Sequence, residues 1–151
     1  MRVIVLNGGV LSVRREGGFL LTDDRNAIDL DRVHHWLSTD AWWALGRTPE
    51  QTRTIVAASQ PYGVYRGDEQ VAFTRVLTDG VAFAYVADVY VDRAARGLGI
   101  GTWMTRQICA HLDTREIRTV ALATTDAHDI YAKAGFEDVP PRRWMWRRRP
   151  S

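Results

Sequence analysis

Three β-branched and aromatic runs follow one another between residues 62 and 91, and what comes straight after them limits the folds open to this chain. "YGVYRG" (62–67), "QVAFTRVLTD" (70–79) and "VAFAYVADVYV" (81–91) are separated by Gly67-Asp68 and Asp79-Gly80. Glycine beside aspartate at such a junction is a hairpin signal, so the three runs read as an antiparallel meander. "RAARGLGIGTWM" (93–104) then leads into a helix over 99–112, with Ile100, Met104, Ile108 and Leu112 on one face. "RTVALAT" (118–124) reads as a buried strand. A helical crossover makes 81–91 and 118–124 parallel if they are neighbours. The expectation is an α/β chain with a mixed sheet.

The other elements are placed by their ends. "GGFLLTDD" (17–24) reads as a first strand closed by turn residues, with residues 1–17 an N-terminal arm or short hairpin and 18–151 the main domain. "DLDRVHHWLS" (29–38) sets Leu30, Val33 and Leu37 at helical spacing behind Asp29, which can cap the helix start. Thr48-Pro49-Glu50-Gln51 combines an N-cap, proline at N1 and glutamine at N3, and Pro61 bounds the helix that follows. "DAHDIYAKAG" (126–135) is a short helix with Gly135 as a left-handed C-cap, and a last strand is expected at about 143–148.

Composition excludes several classes. At 151 residues, 46% hydrophobic and 25% charged, the chain is an ordinary globular one with no run near the roughly 20 apolar residues of a membrane span. The apolar run at the N-terminus, broken by Asn7-Gly8-Gly9, is too short for a signal-peptide core. The single Cys109 can form no internal disulfide, which agrees with a cytoplasmic location, and its helical setting reads as a core thiol. No metal site is expected. The net charge is only +2, yet "PPRRWMWRRRPS" at the end carries five arginines and no acid. That tail suits a polyanion, or equally an edge strand alternating around Trp144 and Trp146 with a solvated end.

The glycine run carries the chemistry. Gly97, Gly99 and Gly101 stand where a strand hands over to a helix, with Arg93 and Arg96 just ahead. A helix N-terminus has unpaired amides and partial positive charge, and glycines let an anion approach the backbone. Phosphate binding and a bare tight turn both fit. Two nucleotide motifs do not: position 102 is threonine, so the run is not G-x-G-x-x-G, and no Gly-Lys-Ser/Thr follows.

"VYVDRAARGLGIGTWM" resembles the acyl-CoA-binding segment of the GNAT (Gcn5-related) N-acetyltransferases, whose Gln/Arg-x-x-Gly-x-Gly/Ala signature is met by Arg96, Gly99 and Gly101. Downstream, "DAHDIYAKAGFE" is similar to the family's Ala-x-x-x-Tyr-x-Lys-x-Gly-Phe segment through Ala127, Tyr131, Lys133, Gly135 and Phe136. The resemblance covers residues 18–148 and implies the GNAT fold: a mixed central sheet of six to seven strands flanked by about four helices. It further implies acetyl-CoA as co-substrate. Its pyrophosphate would lie on the backbone of Arg96, Gly97, Leu98, Gly99, Ile100, Gly101 and Thr102. Its pantetheine arm would pair like a strand with Val89, Tyr90 and Val91, the acetyl carbonyl lying near the amide of Val89 or Tyr90. Tyr131 matches the tyrosine that protonates the departing thiolate, a sensible task for a phenol of ordinary pKa about 10. The chain departs from the pattern at Thr124, where many members carry asparagine.

The acceptor is read as a primary amine, small or peptide-borne, attacking directly in a ternary complex, since neither motif contains cysteine. Asp88 lies in the hydrophobic run "YVADVYV", where burial would raise its pKa toward that of a general base. The competing reading is an aspartate fixed at a strand bulge or by Arg75. His34 and His35, on the first helix, are further candidates for the base, and Trp36, Trp42 and Trp43, on and after that helix, for an aromatic acceptor wall, with His35, Trp36, Trp43 and Arg75 taken as substrate-binding. Asp40 and Asp79 could add polar recognition. A homodimer is left open, and neither membrane nor nucleic acid is an expected partner. Two alternatives stand beside this reading: a nucleic-acid-associated or tRNA-directed protein using the arginine tail, and a CoA-binding module without turnover.

Overall fold

The computed structural model describes residues 3–6 and 9–151. Seven strands form one sheet in the order β1-β2-β3-β4-β5-β6-β7: Val3–Leu6, Val10–Arg15, Phe19–Thr22, Gln60–Arg66, Glu69–Thr78, Phe83–Val91 and Thr119–Ala121. All neighbours are antiparallel except β6 and β7, the pair joined by the helical crossover. Helices α1 (Leu30–Asp40) and α2 (Pro49–Ala57) follow β3, α3 (Ile100–Thr114) links β6 to β7, and α4 (His128–Ala132) comes last.

The expected caps are present. Asp29 accepts from the Arg32 amide, and Thr48 and Gln51 form a reciprocal capping box at α2. Gly135 has φ +94 and its amide bonds to Ala132, closing α4 in the left-handed region. Pro61 lies inside β4 opposite Arg75, a position β3 does not reach because its pairing ends at Gly63. A proline without an N–H is tolerated on that unpaired side.

The segment before residue 18 belongs to the sheet: β2 pairs with β3, and Leu11 and Val13 lie in the main core. Asn7 and Gly8, in the expected arm, lie outside the described residues. The strand expected at 143–148 is not formed. Residues 143–148 make no ladder, and Trp144, Met145 and Trp146 are exposed, although Trp144 keeps a tilted ring contact with Phe83. The physical reason is the side-chain set: three arginines and two tryptophans in six residues have no buried face to occupy. β7 is also shorter than the expected 118–124.

Two cores fill the faces of the sheet. Ile100, Trp103, Met104, Ile108 and Leu112 of α3 pack on one, and Val33, Trp36 and Leu37 of α1 with Val56 of α2 pack on the other. Strand β6 serves both through a bulge at Asp88, where φ is +53 and the register against β5 shifts. Ala84 and Val86 join the α3 core before the bulge, but Tyr90 joins the α1 core after it, with Val89 and Val91 now turned toward α3. One extra residue reverses the period-two alternation and places the end of β6 differently from its beginning. That end forms the site.

Candidate functional site

The parallel ladder between β6 and β7 covers only Phe83 to Tyr85, opposite Thr119 to Ala121. Beyond it the two strands part, and β6 from Val86 to Val91 has no strand neighbour on that side among the described residues. A single 3-10 turn, Arg93–Ala95, follows, and Gly99 with φ +74 caps α3 without a side-chain hydrogen bond. Gly97 also has positive φ, +80. Left-handed glycines at these two points let successive N–H groups point away from the helix start, the geometry that favours an anion. Among the described residues the amides of Gly97, Leu98, Gly99, Ile100, Gly101 and Thr102 donate no hydrogen bond, and the first intrahelical bond is from Trp103 to Gly99. A Cβ on Gly101 would stand 3.6 Å from Val91 Cγ2, and one on Gly99 3.6 Å from an Arg15 nitrogen.

Arg96 departs from expectation. Its amide bonds to the Arg93 carbonyl, so the run of free amides starts one residue later. Its guanidinium donates from Nε to the Val91 carbonyl at 2.9 Å, pairs with Asp40 at 3.3 Å and lies over the Tyr90 ring. Asp40 gathers Arg93, Arg96 and the Tyr90 hydroxyl at 2.6 Å. It closes α1, where the helix dipole disfavours an acid, and the Arg93 hydrogen bond holds its carboxyl well below the usual range. Asp40 is thus a tie between α1 and the turn before α3, not a free recognition group. Asp79 is likewise occupied, accepting from the amides of Val81, Ala82 and Phe83.

Asp88 corrects a second expectation. Its carboxylate accepts from Arg75 Nε at 2.7 Å, Arg47 at 3.0 Å and Trp43 Nε1 at 2.8 Å. Burial pushes its pKa up, but the Arg75 hydrogen bond, the charges of Arg75 and Arg47 and the indole N–H together outweigh it, and the net shift is downward. A carboxylate stabilised in its charged form is a poor proton acceptor, so the base reading loses its physical support. The fixed aspartate at a bulge is what the chain contains.

The aromatic wall is divided. Trp36 is buried, stacked on Tyr90 at 5.3 Å with Arg32 also over its ring, and belongs to the core rather than to an acceptor surface. His35 is exposed on α1 and makes no side-chain contact with the Asp88 cluster among the described residues. His34 Nδ1 lies 2.9 Å from the Thr52 hydroxyl. Trp43 and Arg75 do come together, on Asp88, while Trp42 stands exposed and edge-on to Trp43.

Tyr131 is half-buried, edge-on to Phe136 at 6.0 Å. Burial, assisted by the charge of Asp126, pushes its pKa above the ordinary tyrosine value. Its hydroxyl has no hydrogen-bond partner among the described residues. Thr124, in contrast, accepts from the Ala127 amide at 3.0 Å and is spent on the approach to α4. Cys109 on α3 is half-buried, and burial pushes its thiol up to about 11, which makes it a weak nucleophile.

A family model described as "Acetyltransferase (GNAT) domain" matches residues 51–138. The chain belongs to the GNAT acetyltransferase family. It is 29% identical over 143 residues to "Putative acetyltransferase FG08082" of Gibberella zeae, with 81% of each chain covered. A crystal structure of a "putative acetyltransferase belonging to the gnat family" from Xanthomonas campestris pv. campestris is 33% identical, with TM-score 0.81 over 87% of this chain and 94% of that one. A "predicted acetyltransferase with acetyl-CoA" from Clostridium acetobutylicum shares the fold at 17% identity, TM-score 0.65, over 86% of this chain and 94% of that one.

The matched span of the GNAT model begins after α1, so several site residues fall outside it. Arg15 on β2 is one that sequence reading missed. Its Nη2 donates to the Leu98 carbonyl at 2.5 Å, its ring neighbour is Trp103, and its Nη1 is buried without a partner. Arg15 thus brings a guanidinium with one unpartnered nitrogen against the turn that carries the six free amides. Nothing in "LSVRREGG" marks Arg15 apart from Arg14, because the contact is made across 83 positions of sequence. Arg47 was also missed, for the same reason. Among the described residues no helix is long and apolar enough to cross a membrane, and no three His, Cys, Asp or Glu side chains could hold a metal ion.

Proposed function

We propose that this GNAT acetyltransferase passes the acetyl group of acetyl-CoA to a primary amine by direct attack in a ternary complex. The observation that carries the reading is the run of six unpartnered amides, Gly97 to Thr102, set beside the open edge of β6. Acetyl-CoA, the family's co-substrate, supplies an activated acetyl thioester. The chain's own residues bind and orient it. The amides of residues 97–102 and the free nitrogen of Arg15 take the pyrophosphate, and Val89 to Val91 offer backbone groups to the pantetheine arm. The amide of Val89 or Tyr90 donates to the acetyl carbonyl oxygen as charge develops there. Tyr131, kept protonated by its raised pKa, gives its proton to the leaving sulfur, while the proton released by the attacking amine passes to water, from which the phenol is restored. Asp88 anchors Trp43, Arg47 and Arg75 at the bulge and takes no proton. The cytoplasm is the proposed setting for the enzyme.

The test is a thermal-shift titration with acetyl-CoA followed by an amine panel read by free-thiol release. No stabilisation by either acetyl-CoA or CoA would sink the proposal, and stabilisation without turnover on any amine would favour a binding module. Gly99→Val is expected to weaken acetyl-CoA binding about tenfold or more, because a branched residue at φ +74 is strained by roughly 1–2 kcal/mol and its side chain meets Arg15. Arg15→Met should weaken binding about 3–10-fold through loss of one charge-assisted hydrogen bond. An unchanged Kd by calorimetry would remove Arg15 from the cradle.

A further inference from the structure

The loop between α1 and α2 borders an open cavity of about 410 Å³, lined by Trp43, Leu45, Arg47, Gln51 and Ile55 among others. Its polar side chains share one property. Arg47 is the sole charged residue in the lining, and only its Nη1 is used, on Asp88. Gln51 accepts through Oε1 from the Thr48 amide in the capping box of α2, which fixes the orientation of its side-chain amide. Its Nε2 is left as a donor without a partner among the described residues. Trp43 has already given its one N–H to Asp88. The side chains therefore present donors and apolar surface, and the one acceptor, Gln51 Oε1, is already engaged by the Thr48 amide.

Charge points the same way. Two arginines, 47 and 75, converge on the single carboxylate of Asp88, leaving one positive charge in excess, and among the described residues no second acid pairs with either. The low pKa of Asp88 keeps that balance constant through the neutral range. Asp88, which holds the lining residues Trp43 and Arg47, immediately precedes Val89, the start of the strand end that the acetyl-transfer reading assigns to the thioester.

We propose that this cavity is the acceptor subsite and that it takes an amine bearing a carboxylate and an apolar side chain, an apolar α-amino acid in the simplest case. The proposal rests on the acetyl-transfer reading above. The carboxylate would meet the free edge of the Arg47 guanidinium and Gln51 Nε2, a planar donor fork matching a planar acceptor. The apolar body would lie on Trp43, Leu45 and Ile55.

The experiment has a binding arm and a turnover arm. In the first, calorimetry with CoA present compares N-acetyl-L-phenylalanine with its carboxamide. The acid is expected to bind about tenfold tighter or more. Arg47→Gln should erase the difference, Arg47→Lys should restore part of it, and Gln51→Glu should reverse it. Gln51→Glu keeps the capping box and leaves Asp88 untouched, so it tests the subsite even if Arg47→Gln fails to fold. Equal binding of acid and amide, or a difference that survives both Arg47→Gln and Gln51→Glu, overturns the proposal, as does tighter binding of the matching phosphonate. In the second arm, L-phenylalanine, L-phenylalaninamide and 2-phenylethylamine are compared by kcat/KM. The amide has the less basic amine and is favoured by chemistry alone, so a preference for the acid reports recognition. A drop in Arg47→Gln shared equally by all three acceptors assigns Arg47 to structure and overturns the subsite. Acid-selective binding without turnover of any amine sinks the acetyl-transfer reading and leaves the carboxylate subsite standing.

Discussion

Tyr131→Phe is expected to lower kcat about 10²–10⁴-fold while acetyl-CoA affinity changes by less than about threefold. The substitution removes one oxygen and keeps the ring, so the edge-on contact with Phe136 survives and α4 is not disturbed. The hydroxyl has no hydrogen bond among the described residues to lose, and a purely local role would therefore cost almost nothing. Burial and Asp126 push the Tyr131 pKa upward, which has a consequence for pH. The proton donor stays loaded through the neutral range, and its loss on the alkaline side falls above the ordinary tyrosine value of about 10. Single-turnover measurements separate the outcomes. Unchanged chemistry in the variant removes Tyr131 as the acid, whereas a loss confined to acetyl-CoA binding makes it a cofactor contact.

Local rules made most of the fold legible. The three strand runs with their Gly-Asp and Asp-Gly junctions gave the meander, Asp29 and Thr48 gave two helix starts, and the glycine run gave the start of α3. These features are set within a few residues of chain. What stayed hidden depends on contacts between distant segments. A bulge at Asp88 is one of two readings its sequence context allows, but no glycine marks it, and its consequence, which residues of β6 face α1, stayed hidden. Trp36 and Trp43 are both tryptophans near one helix, yet one is stacked in the core and the other holds Asp88. Charge partners were only half legible. Arg75 beside Asp88 was open to sequence reading, but Arg47, from the loop after α1, was not, and the pKa of Asp88 turns on both arginines. The expected terminal strand failed in the opposite sense, since its alternation was present and a buried face to receive it was not.

Asp88→Asn follows from that cluster and is expected to cost about 3–5 kcal/mol of stability at pH 7, read by urea unfolding. The side chain is only 3% exposed, and neutralising it leaves Arg47 and Arg75 facing each other without a counter-charge. Asparagine accepts the left-handed backbone as readily as aspartate, so φ +53 adds no new strain. The folded-state pKa of Asp88 lies below its unfolded value, so its stabilising charge is fully present above about pH 4 and is lost as pH falls through the folded-state pKa. The gap between wild type and variant should accordingly be widest at neutral pH and close on acidification. The same variant separates anchor from base. An anchor predicts lost stability together with weakened acceptor binding, because Trp43 and Arg47 lose their common partner. A protein of wild-type stability with normal acceptor affinity and no turnover would instead return the general-base role to Asp88.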